Sequence, residues 1–202
     1  MSKFDTSVVD TNCSTCDGDA KYNARYTLTI YKRVAKSQPA TAIVILKNPA
    51  STCKDTIFFS TNLNQIYDVD KTTTHVINTL FAQGLQYDKI ITCNLFPYYD
   101  NIPSTINSVY SNLLSSPPNS YTVNLAKIEM EIQKNIGADV FCAWGKSSGI
   151  TNVIYNKAIQ DVINILISKG IKTYYTFNNG KKQPNQLLTG TKPFYPIHGS
   201  KW

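Results

Sequence analysis

Thr41-Ala42-Ile43-Val44-Ile45-Leu46, running into Lys47-Asn48-Pro49-Ala50, is the stretch on which the fold turns. An unbroken apolar and β-branched run without polar alternation describes a strand covered on both faces, and such strands belong to parallel sheets flanked by helices. The abrupt change at Asn48-Pro49-Ala50 marks the strand end. The same pattern recurs where Lys89 to Cys93 meets Asn94-Leu95-Phe96, and where Asp139 to Ala143 meets Trp144-Gly145-Lys146. In an open α/β sheet the carboxyl ends of the strands line one edge, and ligands bind in the crevice outside it. Polar motifs at three successive strand ends therefore predict one shared site. Phe194-Tyr195-Pro196-Ile197-His198-Gly199 is the candidate fourth wall.

Helices separate these runs. Val76, Ile77, Leu80 and Phe81 recur at helical spacing in a segment from about Lys71 to Gln83, with Asp70 as its cap and Gly84 as its stop. Asn124 to Ile136, before Gly137, and Asn152 to Lys169, before Gly170, are amphipathic in the same way. Lys172 to Phe177 adds a strand. Arg25 to Val34 alternates polar residues with Tyr26, Leu28 and Ile30, which predicts an edge strand with one wet face. Strands joined through helices imply right-handed crossovers. The expectation is a three-layer α/β/α sandwich with a mostly parallel central sheet of about four core strands plus an edge strand. Residues 21–202 form one α/β domain in this reading, and residues 1–20 a flexible, polar N-terminal arm.

Composition bounds the function. With 202 residues, 42% of them hydrophobic, the chain has room for one well-filled core. Its formal net charge of +7 suits an anionic partner such as nucleic acid. A second explanation is codon bias: the cations other than Arg25 and Arg33 are lysines, Asn, Ile, Tyr and Thr abound, and no basic run exceeds Lys181-Lys182. No apolar run approaches the ~18 residues of a membrane span, and the N-terminus lacks a secretory pattern, so the expected location is the cytoplasm, away from membranes. There the five cysteines read as reduced thiols, with Cys53, Cys93 and Cys142 as core fillers. Cys13-Ser14-Thr15-Cys16 has the spacing of half a zinc site but no second pair, and the only histidines are His75 and His198, so a metal-free, cofactor-free protein is expected. Phosphate loops, dinucleotide fingerprints, nucleophile elbows and His-Glu-x-x-His helices are absent from the sequence, which argues against ATPases, dinucleotide oxidoreductases, α/β-hydrolases and zincins.

Taken together, Arg25-Tyr26-x-Leu28, Asn48-Pro49, Asp70-Lys71-Thr72, Asn94-Leu95-Phe96, Ala143-Trp144-Gly145 and the terminal Tyr195-Pro196-Ile197 resemble the bacterial and phage family called domain of unknown function number 1643, over about Tyr22 to Trp202. Ala50 stands where that family usually reads serine, and Tyr195 where it reads histidine. A more distant resemblance is to uracil-DNA glycosylases. These also place an acidic or amide residue and proline after the first core strand, a Leu-Leu-Asn segment after the second, a Trp-Gly-Lys-like segment after the third and a His-Pro-Ser-Pro-Leu-like loop near the end. Asn48-Pro49, Cys93-Asn94-Leu95, Trp144-Gly145-Lys146 and Pro196-Ile197-His198 follow that order. The resemblance implies the same sandwich and a protein that recognises a nucleobase in DNA, single-stranded or with the base flipped out, or in a nucleotide.

The chemistry fits the residue types. A protein acting on a base must hold it out of the stack in a pocket of aromatic faces and edge-reading polar groups. Phe96 could stack on the base while the Asn94 amide, donor and acceptor at once, pairs with its edge. Pro49 would stiffen the turn presenting Asn48, whose amide could orient a water towards the sugar C1′, and His198 could stabilise charge on the departing base. Ala50, Trp144, Gly145 and Tyr195 complete the expected pocket, and Lys146 near a helix N-terminus could hold phosphate, as could Asp70, Thr72 and Arg25. Structural alternatives stand beside these roles. Asn48 and Asn94 suit turns, Phe96 and Trp144 suit a core, Asp70-Lys71-Thr72 suits a helix cap, and His198 suits a solvated chain end. Tyr98-Tyr99-Asp100 is a further candidate stacking platform. Two functions follow. One is cleavage of the N-glycosidic bond of an unusual or damaged base; the other is non-catalytic binding of nucleic acid or nucleotide by an accessory protein of a phage or mobile element. Protein partners are not legible.

Overall fold

The apolar run at 41–46 becomes a strand at the heart of a seven-stranded sheet. A computed structural model describes residues 9–19, 24–33, 40–49, 76–77, 80–81, 87–98, 106–110, 120–145, 150–171, 173–178 and 181–186. Its strands are β1 (Val9–Asp19), β2 (Ala24–Lys32), β3 (Thr41–Leu46), β4 (Lys89–Asn94), β5 (Asp139–Cys142), β6 (Thr173–Asn178) and β7 (Lys181–Gln186). Two long helices are described, α1 (Ser120–Lys134) and α2 (Asn152–Ser168), and residues 76–77, 80–81 and 106–110 are also helical.

The strand order is β1-β2-β4-β3-β5-β6-β7. Its centre is parallel: β3 pairs with β4 from Thr41 opposite Lys89 to Leu46 opposite Asn94, and with β5 from Ala42 opposite Asp139 to Ile45 opposite Cys142. β5 pairs in parallel with β6. Both flanks are antiparallel, β2 to β4, β1 to β2, and β6 to β7. The sheet is therefore mixed, which corrects the expectation of a mostly parallel one. On one flank the reason is local: Asn178 and Lys181 pair across Asn179-Gly180, and a two-residue connection joins antiparallel strands only.

A second correction concerns β2. Expected at the sheet edge with one wet face, it lies between β1 and β4, and Ala24 through Leu28 are all buried, Arg25 and Thr27 included. β1 pairs along its outer side and α1 packs against it, so alternation in sequence does not become alternation in exposure. Val9–Asp19, inside the segment read as an N-terminal arm, is a strand tied to α1 by the Asp17–Lys127 ion pair (2.7 Å).

The central strands are buried on both faces, as their composition predicts. Ile43, Ile45, Ile91, Cys93, Val140 and Cys142 join Ile128 and Ile132 of α1 and Ala158, Ile159, Val162 and Leu166 of α2 in one core. The alternate residues Ala42, Val44, Leu46, Ile90 and Phe141 are buried as well, as are the helical Val76, Ile77, Leu80 and Phe81. α2 ends as its glycine predicts: Gly170 adopts φ +73°, its N–H donates to the Ile167 carbonyl (2.9 Å), and the Ile171 N–H reaches the Leu166 carbonyl (3.0 Å). No helix among the described residues is long and apolar enough to cross a membrane.

Candidate site at the carboxyl edge of the central strands

The strand order sets where a crevice opens. From β3 the chain steps sideways to β4, whereas from β5 it steps the other way to β6. Adjacent parallel strands whose onward connections diverge leave a gap outside their carboxyl ends. β3 and β5 are such a pair, so the Asn48-Pro49 and Ala143-Trp144-Gly145 turns flank the gap, with the end of β4 beside β3.

Backbone hydrogen bonds hold these turns together. The Leu95 N–H donates to the Leu46 carbonyl (2.8 Å), the Phe96 N–H to the Lys47 carbonyl (2.9 Å) and the Ala143 N–H to the Ile45 carbonyl (2.8 Å). β2 runs antiparallel and so brings its start to the same edge, where the Arg25 N–H donates to the Pro97 carbonyl (2.8 Å). Asn48, Pro49, Asn94, Phe96, Trp144, Gly145 and Arg25 thus come to one edge of one sheet. Ala50, Asp70, Thr72, Lys146, Tyr195 and His198 lie outside the described residues, as does Tyr99.

The side chains differ in what they offer. Asn48 is half-buried and its Nδ2 donates to the Pro49 carbonyl (3.1 Å), a local turn bond. Phe96 is 0% exposed, its ring edge-to-face against Tyr110 at 6.0 Å, and Tyr110 continues the row to Tyr121 at 4.9 Å. Trp144, 1% exposed, is likewise core. Arg25 is 1% exposed, whereas the expected phosphate contact calls for access to solvent. Gly145 adopts φ +69°, a backbone region that favours glycine, in the turn after β5. Lys47, half-buried between β3 and Asn48, has its pKa lowered by burial, which disfavours the charged ammonium.

Residues that the sequence reading did not single out brace this edge. Asn124 of α1, 0% exposed, donates through Nδ2 to the carbonyls of Asn94 (2.8 Å) and Leu95 (3.4 Å), while the Asn94 Nδ2 reaches the Arg25 carbonyl (3.5 Å). Tyr155 of α2 places its hydroxyl between the carbonyls of Trp144 (3.2 Å) and Gly145, its single proton serving both. Burial raises the Tyr155 pKa, which keeps that proton in place. The available signal was a polar residue on a helix's apolar stripe: Asn124 precedes Ile128 and Ile132 at steps of four, and Tyr155 precedes Ala158, Ile159 and Val162. Among the described residues no group of three His, Cys, Asp or Glu side chains is placed to hold a metal ion.

The family model described as "Protein of unknown function (DUF1643)" matches residues 25–186, more than half of the chain, and the chain belongs to that family. No curated protein and no solved structure matches it.

Proposed function

We propose that this member of the family recognises a nucleobase, in nucleic acid or in a nucleotide, at the carboxyl edge of β3, β4 and β5. The observation that carries the reading is the buried polar cluster there: two carboxamides, Asn94 and Asn124, joined to the Arg25 main chain where β4 ends. A site for an apolar ligand has no use for buried amides, whereas a base edge is a row of donors and acceptors that amides match. Because Phe96 and Trp144 are core residues, recognition in this reading rests on hydrogen bonding more than on stacking. The net charge of +7 favours a polyanionic carrier of the base.

The scaffold in this proposal is a three-layer sandwich like that of the uracil-DNA glycosylases. Right-handed crossovers support it: the β3-to-β4 step runs opposite to the β4-to-β5 and β5-to-β6 steps. The connection carrying Val76, Ile77, Leu80 and Phe81 then belongs on the face away from α1 and α2. The enzymatic form of the reading is hydrolysis of an N-glycosidic bond in the cytoplasm. Asn48 would orient the water whose hydroxyl adds to C1′, and His198 would donate to the base as it leaves with a proton. Non-catalytic binding by a phage or mobile-element accessory protein is the second reading. It is favoured by the Asn48 amide, which donates to the Pro49 carbonyl and, unlike a carboxylate, takes no proton from water.

The test is incubation of the protein with single- and double-stranded oligonucleotides carrying uracil, hypoxanthine, hydroxymethyluracil or normal bases, followed by alkali and a parallel gel shift. Breaks at one base, lost in Asn48→Ala, establish cleavage. Shifted bands without breaks, weakening steeply with salt, establish binding alone. Absence of both breaks and shifts would rule out nucleic acid as the carrier of the base, and a calorimetric titration with free nucleotides that also showed no binding would overturn the proposal.

A further inference from the structure

Lys47 is the first residue after β3 and the last before the Asn48-Pro49 turn, so it stands where the gap between β3 and β5 opens. Its carbonyl accepts from the Phe96 N–H (2.9 Å), which fixes its backbone beside the end of β4. Elsewhere in the fold lysines are matched. Lys127, Lys157 and Lys169 meet Asp17, Asp161 and Glu129 at 2.7, 2.9 and 2.7 Å, and the Lys89 Nζ donates to the Asn135 Oδ1 (2.9 Å). Lys47 differs from all of these: it is half-buried, and no carboxylate among the described residues offsets the water it has lost. Burial alone lowers its pKa, which enlarges the share of neutral amine. An amine with its lone pair free is a nucleophile, and desolvation without an acid alongside is one way in which proteins activate a lysine.

Resting on the nucleobase reading above, we infer that the Lys47 amine, in place of a water held by Asn48, is the nucleophile at C1′ of a deoxynucleotide in DNA, and that the protein releases the base through an imine. The two nucleophiles differ in what they need. A water must give up a proton as it adds, and the Asn48 amide takes none. A neutral amine attacks first and sheds its proton afterwards. Its lone pair forms the N–C1′ bond as the bond from C1′ to the base breaks. The base leaves with that electron pair and gains the proton that the nitrogen gives up. The C1′–O4′ bond then opens, the second proton of the nitrogen passes to O4′, and a C1′=N imine joins Lys47 to the open sugar. Protonation of the imine nitrogen acidifies C2′, whose proton is lost as the 3′ phosphate departs, so the strand breaks without alkali. Water returns the imine to the amine. Deoxyribose suits this course because no 2′-hydroxyl draws electrons from C1′. Since Lys47 is half exposed, it meets a sugar at the mouth of the gap and requires no cavity within the core.

The test is reductive trapping. The protein is incubated with single-stranded oligonucleotides carrying uracil, hypoxanthine, hydroxymethyluracil or an abasic site, in the presence of cyanoborohydride, which reduces an imine to a stable secondary amine. The expected result is a protein–DNA band that survives denaturing electrophoresis, with its cross-link mapped to Lys47 by mass spectrometry. Lys47→Arg keeps a cation but forms no imine, and loss of the band is expected. A melting curve and a gel shift check that the variant folds and binds, and the mapping on the unchanged protein stands even where it does not. Breaks that appear only after alkali, with no trapped band, would make water the nucleophile and overturn the inference while base recognition stands. Trapping mapped to other amines, a shifted band with neither breaks nor trapping, or binding of free nucleotides alone would overturn it in the same way. If neither oligonucleotides nor free nucleotides bind, the nucleobase reading falls and the inference with it.

Discussion

Tyr155 illustrates how one hydroxyl holds a site together. Its ring belongs to the core of α2, yet its proton serves the carbonyls of Trp144 and Gly145, where the chain leaves β5 in a left-handed turn. Tyr155→Phe keeps the ring and removes the donor that serves these two buried carbonyl oxygens. The expected cost is about 1–3 kcal/mol, read as a lower urea midpoint with an unchanged slope. A change below about 0.3 kcal/mol would mean that water replaces the phenol. Gly145→Ala acts on the same turn through the backbone: at φ +69° an alanine is strained, and a loss of about 1 kcal/mol or more is expected in the same assay. Asn124 and Tyr155 were hard to find because each occupies a core position on an amphipathic helix. Sequence periodicity assigns such positions to packing and says nothing about which backbone carbonyl a polar tip meets. Asn94, Phe96 and Trp144 were easier, since each follows an apolar strand, but the burial of the two rings depends on packing that no local motif records.

At the scale of elements, what was legible followed from apolar content. β3, β4 and β5, and the helices α1 and α2, stand within a few residues of their predicted limits, because each buries a continuous run or stripe, and β6 stands within about one residue of its own. β1 and β7 escaped for the opposite reason. Val9–Asp19 and Lys181–Gln186 are polar, and the latter contains Pro184, tolerated on an edge strand but not a central one. Backbone pairing places both, and pairing leaves little trace in composition. The mixed character of the sheet follows from the same two strands and from β2. The Asp17–Lys127 ion pair joins β1 to α1 with side chains 45% and 33% exposed, so its contribution is small. Asp17→Asn is expected to cost less than ~1 kcal/mol and to become neutral at about 1 M salt, where screening acts over ~3 Å. Ile45→Ala, in the doubly covered β3, is expected to cost about 2–5 kcal/mol. Chemical denaturation that ranked the two variants the other way would refute the placement of the core.

For the whole molecule, burial couples stability to alkaline pH. Complete burial pushes the Cys93 and Cys142 thiols above their ordinary 9.0, with Glu131 adding to the effect at Cys93. Burial likewise raises the Tyr121 and Tyr155 phenols above 10.0, with the neighbouring Tyr110 and Asp161 adding to the effect at Tyr121. An acid whose folded pKa is raised keeps its proton when the unfolded chain would release it. The associated stability is therefore fully present below about pH 9 and is lost as pH rises beyond it. Urea unfolding followed from about pH 7 to about pH 10.5 should show stability falling in the upper part of that range, and a flat profile would contradict the burial of these groups. In the native state below pH 9, alkylating reagents should leave Cys93 and Cys142 unmodified.

The claim on which the functional account depends is that a nucleobase enters at the carboxyl edge of the central strands. An NMR titration of the isotope-labelled protein with a single-stranded oligonucleotide at low salt, reading backbone and asparagine side-chain amides, tests it most directly. The account predicts saturable shifts concentrated at Asn94 to Phe96, Ala143 to Gly145 and the Asn124 side chain. Shifts confined to other surfaces, or none at all, would contradict it.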